Sequence, residues 1–168
     1  GNSYNLQPTK FKVITNSREI KELNVVSSGD FIIASPINIG KLEINMAGSG
    51  NILLEKKVEG NKLEINLASS GSVVASNIDL AGIECSLAGS GYIQIAGKAD
   101  RAEYNLAASG NIKAYECVTG KTECNIAGSG NIQTHTRNQL EANIVGSGNV
   151  YYKGNPTTSK SIIGSGKL

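Results

Sequence analysis

One motif recurs along almost the whole chain and limits what it can become: Glu-x-Asn-apolar-small-small-Ser-Gly-Asn-Ile. Its clearest copies run Glu43-Ile44-Asn45-Met46-Ala47-Gly48-Ser49-Gly50-Asn51-Ile52 and Glu123-Cys124-Asn125-Ile126-Ala127-Gly128-Ser129-Gly130-Asn131-Ile132. The aligned glycines Gly29, Gly50, Gly71, Gly91, Gly110, Gly130, Gly148 and Gly166 are separated by 21, 21, 20, 19, 20, 18 and 18 residues. A unit this short cannot bury an apolar face alone, so successive copies must stack into a solenoid.

Within each copy apolar and polar residues alternate. Leu42, Ile44 and Met46 fall on one side and Lys41, Glu43 and Asn45 on the other, the period of a half-buried strand. After the Ser-Gly step the alternation resumes, as in Ile52 and Leu54, Ile93 and Ile95, or Val150 and Tyr152, which predicts a second wall. A looser third segment, Glu55–Gly60 in one copy and Ala96–Ala99 in another, is expected to hold loops and absorb the length variation. The Leu-x-x-Leu-x-Leu spacing of leucine-rich repeats is absent. The pattern therefore predicts an all-β fold, a single-stranded right-handed parallel β-helix of about eight coils. Residues 21–168 form the repeat domain and residues 1–20 an N-terminal segment that caps it. Coils about 4.8 Å apart make a rod about 34 Å tall. Its core is stacked Ile, Leu and Val, so two phenylalanines and no tryptophan suffice among 168 residues.

The corner glycines are expected where the backbone either needs positive φ or has no room for a Cβ. The serines before them, Ser49, Ser90 and Ser129 among others, are expected to bond backbone groups freed by the bend, or each other. They lack the Gly-x-Ser-x-Gly context of a hydrolase nucleophile.

Sixteen basic and fourteen acidic side chains, with no run of either sign, leave no electrostatic footprint for nucleic acid. No stretch approaches the roughly twenty apolar residues of a transmembrane segment, and no leader opens the chain; Gly1 reads as a residue left where a leader was removed. Cys85, Cys124 and Cys117 are odd in number, and the first two share an inward column two coils apart, too far for a bridge. Free thiols are expected, with a Cys117–Cys124 bridge the alternative.

Chemistry has few places to reside. The most regular polar surface is the outward column Glu22, Glu43, Glu64, Glu84, Glu103, Glu123 and Glu141, flanked by Asn45, Asn66, Asn105 and Asn125. Lys41, Lys62, Arg101 and Lys121 lie two residues before the glutamates. This face reads either as a charge-balanced solvated wall or as a strip that binds glycans, protein or divalent ions. Glycosidic cleavage needs carboxylates in distinct environments, and no one-off cluster breaks the repeat to supply them. Asp30, Asp79 and Asp100 lie at unrelated positions, and His135 is the single histidine, expected in a connecting segment. No metal, cofactor or phosphate-binding motif is present, so no catalytic residue, cofactor or metal is expected. A second irregularity is an apolar stripe, Ile32, Leu53 and Val74, in an outward column that continues as Gln94, Lys113, Gln133 and Tyr151. Cover is expected from Phe11–Ile20, or from another subunit or partner. The rod's ends, blunted by Pro156, Lys160 and Lys167 at one side, and the stripe offer the contacts for a homodimer.

The Gly-Ser-Gly-Asn-Ile steps at Gly48–Ile52 and Gly128–Ile132, with relatives at Ala108–Ile112 and Gly146–Val150, resemble the head GIN domain of the auto-transporter adhesin family. The resemblance covers roughly residues 20–168. It implies a β-helix, an exported protein of Bacteroidetes-type bacteria placed in the periplasm, at the outer-membrane surface or outside the cell, and no catalytic residues. The expected function is a non-catalytic, adhesin-like module binding a glycan or a cell-surface protein. A pectinase-like lyase or hydrolase, or a lipid-binding or structural envelope protein, is the alternative.

Overall fold

The computed structural model describes residues 20–26 and 28–168. Among them the chain is entirely strand, turn and bend, wound into a parallel β-solenoid of about seven turns. The expected cap at residues 1–20, and Phe11–Ile20 as cover for the stripe, lie outside the described residues except for Ile20, which packs half-buried on the core.

The first wall is formed by β1 (Glu22–Val25), β3 (Ile37–Met46), β5 (Val58–Leu67), the later part of β6 (Ser72–Leu87), and the corresponding parts of β7 (Tyr92–Leu106), β8 (Asn111–Gly128) and β9 (Asn131–Gly146), then β11 (Thr157–Gly164). The second wall is formed by β2 (Phe31–Ile33), β4 (Asn51–Leu54), the early parts of β6 to β9, and β10 (Asn149–Lys153). Every pairing is parallel, and along the first wall the repeats stay in register: Glu43 sits beside Glu64, Glu64 beside Glu84, and so on through Glu141. Period-two alternation does the rest, since the inward residue of one coil lands on the inward residue of the next.

The third side differs from the looped segment expected. Residues 55–57 are indeed outside strands, but Ala96–Ala99 lies within β7, and β6, β7, β8 and β9 each run continuously around the bend, while the last coil breaks again at residues 154–156. Length variation is taken up by register shifts, between Ala75 and Ile78, Gln94 and Ala96, and Ala114 and Val118. A bulge accommodates an extra residue while keeping the flanking ladder paired, so no backbone group needs a loop to reach water.

Inside, the columns are continuous. Met46, Leu67, Leu87, Leu106, Ile126 and Ile144 form one, and Ile52, Val73, Ile93, Ile112, Ile132 and Val150 another, all buried. Tyr104 is fully buried between Cys85 and Cys124, whose small side chains leave room for the ring. Its hydroxyl has the weakly bonding Cys117 thiol for a polar neighbour and makes no acceptable hydrogen bond. All three cysteines are buried free thiols, including Cys117, which lies in β8. Burial pushes the Cys117 thiol up to about 11 and the other two up as well, so none presents a thiolate at neutral pH. Near the C-terminal end the core turns polar. Thr119 and Thr122 lie 2.6 Å apart, the Thr136 hydroxyl donates to Thr122 at 2.7 Å, and Thr134 is 3.2 Å from Thr136. The network is closed on itself and on the His135 carbonyl, 3.0 Å from Thr119 Oγ1. Replacing one member strands its partners, so Thr122→Val is expected to cost about 1–3 kcal/mol in chemical denaturation.

At the corners the reason for glycine resolves into crowding. Gly50, Gly71, Gly91 and Gly130 have ordinary φ, but a Cβ on each would lie 2.0–2.1 Å from the carbonyl oxygen of the corner glycine one coil earlier. Corner backbone rests directly on corner backbone, held by bonds such as Asn111 N to Gly91 O at 3.2 Å and Asn131 N to Gly110 O at 3.3 Å. The corner serines contribute little to this. Ser49, Ser70, Ser90, Ser109, Ser129 and Ser147 are exposed, and their hydroxyls form no hydrogen bond among the described residues, contrary to the bonding expected of them. Gly71→Ala is expected to cost about 3 kcal/mol or more, or to prevent folding, because the carbonyl it meets belongs to the ladder and cannot retreat.

Candidate binding face

The outward side of the first wall carries three parallel columns. The innermost is asparagine: Asn45 Nδ2 donates to Asn24 Oδ1 at 3.0 Å and Asn66 Nδ2 to Asn45 Oδ1 at 2.9 Å. The run stops at Ser86 and restarts, with Asn125 donating to Asn105 at 2.9 Å and Asn143 to Asn125 at 3.0 Å. The second amide hydrogen is spent on the glutamate two residues earlier, from Asn45 to Glu43 at 3.0 Å, Asn105 to Glu103 at 2.9 Å and Asn125 to Glu123 at 3.0 Å. Of the amides proposed from sequence as ligand contacts, Asn45 and Asn125 thus donate twice within the wall, and Asn66 and Asn105 also donate within it. A second ladder follows the corners, from Asp30 through Asn51 to Ser72 and from Asn111 through Asn131 to Asn149. It is interrupted at Tyr92.

The glutamate column lies beside the asparagines, and the basic column beside the glutamates. In the first half of the rod the two are laced together: Lys41 Nζ reaches Glu64 at 3.0 Å and Glu43 at 3.4 Å, and Lys62 reaches Glu84 at 2.7 Å and Glu64 at 3.5 Å. The Glu84 carboxylate raises the Lys62 pKa, and Lys41, then Lys62 and Asn66, hold Glu64 below its usual range. In the second half the lacing ends. Arg101 and Lys121 form no ion pair among the described residues, although Glu103 and Glu123 stand next to them in sequence register. There the wall opens into a shallow groove of about 470 Å³, lined by Lys62, Gly82, Glu84, Arg101, Glu103, Lys121, Glu123, Gln139 and Glu141. The structure therefore brings Glu103 and Glu123 to the groove and leaves Glu43, Asn45, Asn66, Asn105 and Asn125 outside its lining, with Glu64 tied into ion pairs beside it.

Acid titration reports on the laced half through Glu64. In the unfolded chain Glu64 titrates near its ordinary 4.5, and in the folded chain it is held lower. Its pairing therefore stabilises the fold above about pH 4.5 and is lost as pH falls through the depressed value. Glu64→Gln is expected to remove that acid-dependent part, below about 1 kcal/mol for an ion pair so near the surface, read as a flatter urea midpoint between about pH 6 and pH 3.

The remaining candidates are scattered. Ile32, Leu53, Val74, Gln94, Lys113, Gln133 and Tyr151 do form one register column on the second wall, and the three apolar members are half-buried. Lys113 stands over the Tyr92 ring at 4.7 Å and Lys153 over Tyr115 at the same distance. His135 lies in β9 beside Lys153, not in a connecting segment. Asp30 accepts a hydrogen bond from Asn51, Asp79 pairs with Lys98 at 3.1 Å, and Asp100 borders a separate hollow with Arg137 and Asn138. No group of His, Cys, Asp and Glu able to hold a metal occurs among the described residues, nor any helix long and apolar enough to cross a membrane.

Fold and face together define a parallel β-solenoid that exposes repeated polar columns and, on the first wall, an open groove. The chain belongs to the family described as "Putative auto-transporter adhesin, head GIN domain", whose model matches residues 2–59 and again 48–156. Solved structures agree. A "Putative lipid binding protein" from Parabacteroides distasonis is 53% identical, with a TM-score of 0.86, 88% of this chain covered and 61% of that one. A "putative adhesin" from the same species is 30% identical at 0.86, covering 88% and 62%, and one from Parabacteroides merdae is 33% identical at 0.80, covering 88% and 63%. The chain thus spans under two thirds of the length of these relatives. No curated protein matches it.

Proposed function

We propose that the chain is an exported, non-catalytic, adhesin-like binding module that presents the groove of its first wall to a glycan or a protein at the cell surface. The observation that carries this reading is the change along the wall: the same two charged columns that neutralise one another around Lys41, Glu64 and Lys62 stand apart at Arg101, Glu103, Lys121 and Glu123. Side chains that do not satisfy each other remain available to a ligand. The family description and the adhesin relatives support a binding role and an exported location, in the periplasm, at the outer-membrane surface or outside the cell.

A pectinase-like enzyme fits the residues less well. Adjacent rungs lie about 4.8 Å apart, close to the carboxylate separation of retaining glycosidases, so spacing alone does not decide. Environment weighs against it: Glu103, Glu123 and Glu141 each receive the amide of the asparagine two residues on, at 2.9, 3.0 and 3.5 Å, and Glu84, the groove carboxylate that differs, is held as a charged partner by Lys62 at 2.7 Å, not in the apolar setting that makes a general acid. A lipid-contact reading draws on the stripe Ile32, Leu53 and Val74 and on the description of the 53%-identical relative. The discriminating measurement is a glycan array on the purified chain, with reducing-end release assayed on every hit and vesicle co-sedimentation in parallel. Glycan capture without new reducing ends is the expected result; release of reducing ends makes it an enzyme, and co-sedimentation alone favours lipid.

A further inference from the structure

Gly82 is a glycine the backbone does not require. Its φ is not positive, and a Cβ built on it would meet nothing within 4 Å. The corner glycines, by contrast, would drive a Cβ into a carbonyl. Gly82 also sits within β6, where glycine weakens a strand by its entropy and by the side chain it fails to pack. Its register neighbours are Lys62 on one side and Arg101 on the other, so it leaves a gap in the basic column. That gap is part of the groove lining. A lysine there would lie beside Glu84 and Glu103 as Lys41 lies beside Glu43 and Glu64, extending the lacing and filling the groove. A strand position that gives up both intrinsic stability and an ion pair, yet is free of steric demand, is accounted for by a ligand that approaches the main chain.

We propose that Gly82 is the floor of a subsite for an uncharged, hydroxyl-rich oligosaccharide, with Arg101 and Lys121 donating to ring hydroxyls and Glu84 and Glu103 accepting from them. The assignment rests on the binding-module reading above and names its ligand. Charge selects the class. Around Gly82 stand Lys62, Arg101 and Lys121 against Glu84, Glu103, Glu123 and Glu141, so an anionic ligand meets the carboxylate column and a cationic one the basic column. A hydroxyl donates and accepts at once, and neighbouring hydroxyls on a sugar ring bridge two columns that lie two residues, about 6.6 Å, apart on the strand. The open Gly82 main chain lets the ring lie flat between them.

The test uses the whole chain and three forms of it: unmodified, Gly82→Ala and Gly82→Lys. Binding is measured to immobilised neutral hexose, N-acetylhexosamine and uronate oligosaccharides, alongside the thermal midpoint of each form. Both variants are expected to fold with a midpoint equal to or above that of the unmodified chain, since the site has room and loses a flexible glycine. Gly82→Lys is expected to lower affinity for the neutral oligosaccharides about tenfold or more, and Gly82→Ala by less. Unchanged binding by Gly82→Lys overturns this subsite while leaving the binding-module reading in place. Preference for uronates overturns the ligand class. Failure of the unmodified chain to bind any of these sugars overturns the subsite, and with no glycan captured on the full array either it overturns the broader reading. A midpoint that falls in Gly82→Ala shows the glycine to be structural and overturns the argument at its root.

Discussion

Everything in this molecule depends on parallel strands stacking in register about 4.8 Å apart, so that each side chain meets its own counterpart in the next coil. That geometry rewards residues that pair with themselves and penalises those that do not. Isoleucine on isoleucine fills a column. Asparagine on asparagine is better still, because a carboxamide is both donor and acceptor and forms an unbroken chain of bonds, as from Asn24 to Asn66. Glutamate on glutamate is the unfavourable case, and the wall counters it from both flanks, with asparagine amides on one side and Lys41 and Lys62 on the other.

The same rule explains which parts of the structure were legible in the sequence. Whatever repeats at the coil period is readable: the two walls, the inward and outward columns, the corner glycines, and the placement of Cys85 and Cys124 two coils apart all follow from counting. What happens between coils is not. Whether a corner glycine answers to φ or to crowding depends on how closely one backbone rests on another, as Gly71 rests on the Gly50 carbonyl, and that closeness is a relation between coils that no single repeat carries. The threonine network was hidden because Thr119, Thr122, Thr134 and Thr136 come from different parts of two coils and look, one at a time, like ordinary strand residues. Bulges replaced the expected loops for the same reason, since a register shift is a relation between strands and leaves no composition signal.

The candidate site was half legible. The columns were visible, but a regular column cannot say where along its length a ligand sits. The departures from regularity do. Lacing between the charged columns ends after Lys62, the basic column lapses at Gly82, and the groove opens at that level. A repeat protein without a break in its pattern offers a ligand no preferred address, so specificity has to be written as exceptions to the repeat.

Those exceptions fall together. The first asparagine ladder halts at Ser86, the corner ladder at Tyr92 and the basic column at Gly82, all within a single coil. In a solenoid, cohesion is the sum of contacts between neighbouring coils, so a coil that drops several of them at once is a seam. The rod is therefore two blocks of side-chain ladder that meet at a coil held by backbone pairing, apolar core and the ion pairs Lys62–Glu84 and Asp79–Lys98, so a change in the ladder of one block is not relayed by side chains to the other.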